Sequence, residues 1–332
     1  MNTLALIWVG IIAFGIIMYV ILDGFDLGIG ILTALIPDEH QRDLMISVIL
    51  PVWDGNETWL VFGAAALYGA FPIAFSTILP AIYIPIFVML IALLFRGVAF
   101  EFRLKAIKSK RFWEYCFFFG SLVTAFVQGI VLGTFVQGFK LAEGTATLTL
   151  YQWLNPFGVL CGIALIFGYA LLGANRLIAK TTNDLQRRCF KISEILQYFI
   201  LLFAVAVSLW SPYLDPAIKQ RWFNSQNMLY LAILPILTII FFALHWYSIR
   251  KKYDHAPFWL SVGIFLMCYA GFIISSYPYL VPRHMTYLQA AANESTLIFM
   301  LIGACIMLPF LLYYTYYSYR IFRGKVVDKL GY

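Results

Sequence analysis

The sequence predicts an all-α integral membrane protein of nine transmembrane helices, on three observations. Of its 332 residues, 62% are apolar and only 12% are charged, and the mean hydropathy is +0.84. The apolar residues fall into long runs, and the basic residues gather in alternate breaks between them. A soluble domain is about half apolar and about a quarter charged. This composition excludes a cytosolic enzyme, a nucleic-acid binder and a disordered chain. At about 22 residues per span, nine helices use about 200 residues and leave little for a soluble domain.

Breaks at charged residues, Pro and Gly place the spans at about 4–35, 43–70, 74–100, 113–138, 156–176, 191–211, 227–249, 257–278 and 295–319 of a single polytopic membrane domain, 1–332. Each must be helical, because a backbone amide in lipid needs a partner within its own segment. The first run has no basic n-region and continues from Leu4 to Ile36. It is longer than a signal-peptide core and is expected to remain as a span.

The basic residues set the orientation. The connection after the third span holds Arg103, Lys105, Lys108, Lys110 and Arg111, and the one after the fifth holds Arg176, Lys180, Arg187, Arg188 and Lys191. Arg250, Lys251 and Lys252 follow the seventh, Arg42 follows the first, and the tail carries Arg320, Arg323, Lys325 and Lys329. These eighteen face only Lys140, Lys219, Arg221 and Arg283 on the other side. The positive-inside rule puts the eighteen in the cytoplasm, with the N-terminus periplasmic and the C-terminus cytoplasmic. The net charge of +7 then meets anionic lipid heads, and no nucleic-acid partner is implied. Tyr313, Tyr314, Tyr316, Tyr317 and Tyr319 read as an interfacial belt ahead of Arg320. Phe-Val-Gln-Gly occurs at 126–129 and 135–138, on opposite helix faces, and is not read as a binding box.

The informative residues are acids inside the spans. Asp23 and Asp26 on the first helix, and Asp54 and Glu57 on the second, are spaced i,i+3, so each pair shares a face. Counted from the connecting loop at ~1.5 Å per residue, Asp23 and Asp26 lie roughly 20 and 15 Å deep, and Asp54 and Glu57 roughly 16 and 21 Å. All four acids are therefore expected at one level near mid-membrane. An Asp at a helix centre costs about 2.5–3.5 kcal/mol, so four cost ~10 kcal/mol unless protons or water offset them. A cluster partly neutral and partly wetted can take up a proton on one side and release it on the other. The competing reading is that the acids tie helices or subunits together. Arg96, with Glu101 at the inner end of the third span, is the nearest basic candidate, for pairing, lipid-head contact or the cytoplasmic entrance to the acids. Gly24 and Gly28 form a GxxxG face with Gly30 beyond, which suits close helix packing.

Redox ligands are scarce. The five cysteines contain no CxxC pair, and of four histidines only His245 lies within a span. Neither bis-His haem ligation nor a metal site is indicated, and His245 reads as packed or interfacial. Any redox cofactor is expected mainly on another polypeptide. A proton-coupled transporter, which should show an internal inverted repeat, and a purely structural anchor are the rival classes.

Several runs resemble one family, the second subunit of cytochrome bd-type quinol oxidases. They are Asp-Gly-Phe-Asp-Leu-Gly at 23–28, Trp-Asp-Gly-Asn-Glu-Thr-Trp at 53–59, Phe-Arg-Gly-Val-Ala-Phe-Glu-Phe-Arg at 95–103, Leu-Asn-Pro-Phe-Gly at 154–158, and Tyr-Pro-Tyr-Leu-Val-Pro at 277–282 with Glu-Ser-Thr-Leu at 294–297. The short outer loops resemble the shorter, cyanide-insensitive-type group. The resemblance implies two four-helix bundles plus one peripheral helix in the bacterial inner membrane. It implies a heterodimer with a subunit I that carries haems b and d, oxidises quinol (ubiquinol in the named oxidases) and reduces O2 to water, electrogenically and without pumping. This chain would hold no haem, support subunit I and contribute to its proton route, with Asp54 and the Asp23/Asp26 region matching the acids implicated. Some members carry glutamine where Glu57 stands. The resemblance also leaves room for a structural quinone or lipid in this subunit and for a small accessory subunit.

Overall fold

A computed structural model describes residues 2–138, 141–142, 145–146 and 152–326. Lys140 and Lys329 of the basic tally lie outside them. In chain order the helices are α1 (Asn2–Leu32), α2 (Glu39–Ile49), α3 (Trp53–Ala70), α4 (Pro72–Lys105), α5 (Lys110–Gln137), α6 (Pro156–Lys180), α7 (Asn183–Leu214), α8 (Pro216–Phe223), α9 (Met228–Leu231), α10 (Ile233–Arg250), α11 (Ala256–Ser276), α12 (Tyr287–Ala290) and α13 (Glu294–Ile321). Two short antiparallel hairpins pair β1 (Leu141–Ala142) with β2 (Thr145–Ala146) and β3 (Tyr279–Val281) with β4 (Met285–Thr286). The protein is an all-α membrane protein. Among the described residues, eight helical stretches are long and apolar enough to cross a bilayer.

The second expected span departs from this pattern. The stretch 43–70 is two helices, α2 and α3, and α3 is not among the eight. Pro51 lacks the N–H that would continue the ladder to Ser47, and Val52 leaves the helical region at φ −129° and ψ −17°. Asp38 starts α2 earlier than expected by accepting from the His40 amide at 3.0 Å. The depth count for Asp54 and Glu57 assumed one unbroken helix. Instead Asp54 lies in the first turn of α3.

Elsewhere local chemistry sets the ends. Asn155 caps α6, accepting from the Gly158 amide at 2.6 Å, with Pro156 in the first turn. Within α4, Pro80 and Pro85 flank a non-helical Ile82 (φ −125°, ψ 15°), and the helix kinks there.

Packing centres on α1, which lies against α3, α5 and α6, while α4 packs on α5 and α7 on α6. Every residue from Asp23 to Thr33 is buried. Glycine makes this possible. A Cβ at Gly28 would lie 1.7 Å from the Tyr169 carbonyl oxygen, and one at Gly173 would lie 2.6 Å from the Gly28 carbonyl carbon. At Gly28 the GxxxG face is thus a backbone-to-backbone crossing of α1 and α6, while Gly24 makes room for the Tyr169 ring. Gly28→Val should therefore cost about 3 kcal/mol or more, at the upper end of overpacking. Gly10→Ala, with nothing within 4 Å, should leave the melting temperature of the purified protein unchanged. Equal melting temperatures for both variants would contradict the crossing.

Candidate functional site

The buried second half of α1 brings its acids against three other helices. Arg96, from the inner half of α4, lies fully buried and donates through Nη1 to Asp23 Oδ1 at 2.5 Å and through Nη2 to Glu57 Oε2 at 3.0 Å. Gly120 on α5 permits this approach, since a Cβ there would meet the Ala92 carbonyl at 2.7 Å and the Arg96 amide nitrogen at 3.1 Å. Of the roles considered for Arg96, pairing is the one its contacts display. Glu101 lies exposed, five positions further along α4.

Asp26 makes a second branch. Its Oδ2 accepts from Asn56 Nδ2 at 2.7 Å, and Asn56 Oδ1 accepts from the Tyr319 hydroxyl at 2.9 Å. Asp26 Oδ1 and Asp23 Oδ2 are buried without a hydrogen-bond partner. The Arg96 guanidinium thus pairs with two of three gathered carboxyl groups, and Asp26 is left with a neutral amide as its hydrogen-bond partner. A third branch begins one turn before Asp23. Gln128 Nε2 donates to the Tyr19 hydroxyl at 2.6 Å and Gln128 Oε1 accepts from the Tyr169 hydroxyl at 2.7 Å.

The four expected acids are therefore not one cluster. Asp23, Asp26 and Glu57 converge around Arg96 and Asn56, whereas Asp54 is exposed on the outer face of α3. Asn56 and Gln128 had not been singled out as site residues, and Tyr319 had been grouped with the interfacial tyrosines. An amide set between two acids on a span is the signal that could have found Asn56, which stands between Asp54 and Glu57 in the 53–59 run.

At one end of the molecule Arg103 bridges Asp43 and Glu114, each at 2.7 Å, and Arg42 reaches Glu114 at 3.2 Å. Lys110 pairs with Glu39 and, at 3.3 Å, with Asp43. The hydrogen bond and charge of Lys110 hold the Glu39 carboxyl below its ordinary range. These residues of α2, α4 and α5 come from two connections that the basic tally put on one side. Two other members of that tally, Arg176 and Lys180, belong to α6, and Lys180 is buried, donating to the carbonyls of Phe322 and, at 3.2 Å, Gly324. His245 is packed within the protein, between Asn175 Nδ2 and Gln197 Oε1, both at 2.9 Å. Among the described residues no group of three or more His, Cys, Asp or Glu could hold a metal ion.

The family model described as cytochrome bd terminal oxidase subunit II matches residues 4–322. The chain belongs to this family. The cytochrome bd ubiquinol oxidase subunit 2 of Bacillus subtilis (strain 168) is 31% identical over 333 residues, covering 97% of each chain. The cytochrome bd-I ubiquinol oxidase subunit 2 of Escherichia coli (strain K12) is 26% identical over 377 residues, covering 99% of this chain and 96% of that one. The bd oxidase structure from Geobacillus thermodenitrificans shares the fold, with a TM-score of 0.80 at 18% identity over 96% of this chain and 98% of its own. As a bd oxidase subunit II, the chain is a multi-pass protein of the bacterial inner membrane. It is one component of a respiratory terminal oxidase, a quinol oxidoreductase, and its partner is subunit I.

Removing the guanidinium would leave Asp23 and Glu57 buried without a counter-charge. Arg96→Gln should cost about 3–5 kcal/mol, read as a lower melting temperature of the purified complex. Adding Asp23→Asn should recover part of that loss. Strictly additive losses in the double-variant cycle would mean that the two groups do not act as a pair.

Proposed function

We propose that this subunit II carries no haem and supplies subunit I with a cytoplasmic proton path for reducing O2 to water, while also scaffolding it. In this reading haems b and d, quinol oxidation and the O2 chemistry belong to subunit I, and the complex is electrogenic without pumping. α3 counts as a ninth span. Its 18 residues extend ~27 Å at ~1.5 Å each, near the ~30 Å of a hydrocarbon core, and it packs against α1, α4 and α13. The nine spans form two four-helix bundles with one peripheral helix, the N-terminus periplasmic and the C-terminus cytoplasmic. A structural quinone or lipid and a small accessory subunit are compatible with this arrangement.

The observation that carries the proposal is the hydrogen-bonded chain Tyr319–Asn56–Asp26 beside the Asp23–Arg96–Glu57 cluster. A purely structural tie needs every polar atom satisfied, because an unmet buried oxygen is costly. Here one oxygen of Asp26 and one of Asp23 have no partner, which suits groups that exchange protons. Roles divide accordingly. Arg96 clamps Asp23 and Glu57, whereas Asp26 has only a neutral amide and is the freest to bind and release a proton. Glu57, 27% exposed, and Asp54 link these buried groups to the surface of the subunit. Glu101 marks the cytoplasmic approach.

In the purified two-subunit oxidase, Asp26→Asn and Asp54→Asn should slow oxygen consumption with a soluble quinol by about 100-fold, the lower end for loss of a proton-transfer group. Haem content and subunit ratio should stay normal. Undiminished turnover in both variants would remove the proton path and leave the scaffold.

A further inference from the structure

Arg176 takes no part in the site as described, and its surroundings are unusual. It projects from the last turns of α6, and its guanidinium carbon lies 5.0 Å from the ring centroid of Phe25, 5.1 Å from Tyr319 and 5.3 Å from Phe258. The rings come from α1, α13 and α11, and Phe25 meets each of the other two edge to face. Three helices thus build an aromatic cage around one cation supplied by a fourth. Such contacts within about 6 Å are attractive through the ring quadrupole, more so when water is excluded.

Among the described residues the cation also lacks a carboxylate in salt-bridge contact. Arg42, Arg96, Arg103, Arg187, Arg250 and Arg283 each pair with a carboxylate. Arg176 has no such pair among the described residues, and its Nε is buried without a hydrogen-bond partner. The acid within Coulombic reach is Asp26. One wall of the cage, Tyr319, is the residue whose hydroxyl holds Asn56, and Asn56 in turn holds Asp26. The same cation therefore touches both ends of the Asp26 branch, one through a ring face and the other through its field.

We propose that Arg176 is a positioning residue for Asp26: it pins the Tyr319 ring so that the Tyr319–Asn56–Asp26 chain stays aligned, and its unshared charge balances the negative charge on Asp26 between proton transfers. This rests on the reading of Asp26 as a proton carrier. The groups facing Asp26 are Asp23 on its own helix, Asn56 from α3, Arg96 from α4, Arg176 from α6 and, through Asn56, Tyr319 from α13. Arg96 is already engaged by Asp23 and Glu57, so Arg176 is the cation left to serve Asp26.

The test uses the assembled two-subunit oxidase with Arg176→Gln and Arg176→Lys. Infrared difference spectra follow the Asp26 carboxyl band, assigned by its loss in Asp26→Asn, and oxygen consumption is measured across pH. In Arg176→Gln, the titration of the band and the turnover profile should both move about one pH unit toward alkaline values. Arg176→Lys should restore most of the shift. Should Arg176→Gln fail to assemble, Arg176→Met, which fills the cage without charge, carries the same expectation. A band and profile that stay in place in an assembled neutral variant would overturn the proposal. If Asp26→Asn instead retains full turnover while the band still responds to Arg176, the proton path fails and the Arg176–Asp26 coupling stands.

Discussion

The structure turns on a guanidinium buried among carboxyl groups. Arg96 lies where neither water nor a lipid head can solvate it, so its charge must be met by Asp23 and Glu57. Those contacts tie α1, α3 and α4 at one level. Removing two such charges from water costs several kcal/mol per ion, which good geometry and further hydrogen bonds must offset. The offset here is incomplete, because Arg96 Nε and one oxygen of Asp23 have no partner. The cluster keeps open valences around its acids.

That openness depends on how tightly the helices are drawn together. The crossing of Gly28 with Tyr169 and Gly173 brings α1 and α6 backbone to backbone at that point. Tyr169 then serves twice: its backbone touches Gly28, and its hydroxyl donates to Gln128 beside Tyr19. With the chain enclosed from Asp23 to Thr33, the proposed proton path would run along the polar side chains that line it.

Most of the helical plan was legible as apolar runs, because span length and lipid exclusion leave few alternatives to a helix. The second span was not. Pro51 stood in view, but the hydrophobic residues on both sides, Ile49 and Leu50 before and Val52 and Trp53 after, kept the apolar run going across a backbone break. Among the site residues, Asp23, Asp26, Glu57 and Arg96 stood out because charge in an apolar run has no bland explanation. Asn56 and Tyr319 did not, since neutral polar groups near helix ends are ordinary. Their partnership joins positions 263 residues apart, and only the packing of α13 against α3 and α1 creates it. Asp54 illustrates the converse: sequence spacing gave it the same standing as Glu57, but a single turn of helix separates a group that meets Arg96 from one that faces outward.

The distribution of cations follows from the same constraint. At the polar end of α2, α4 and α5, the part-exposed Lys110 has two carboxylates, and exchange with solvent makes either pair of small consequence, whereas the buried Arg103 is held by Asp43 and Glu114. Inside, each cation has a distinct role because no substitute can reach it. Arg96 neutralises acids that would otherwise be intolerable in the fold. Arg176 is held by π faces, which stabilise a charge without cancelling it, so its field remains available to whatever acid lies near. An aromatic cage and a carboxylate clamp are therefore different devices, the first preserving a charge that the second neutralises. On the proposed function, the two cations acting on Asp26 support that one acid electrostatically while it gains and loses a proton.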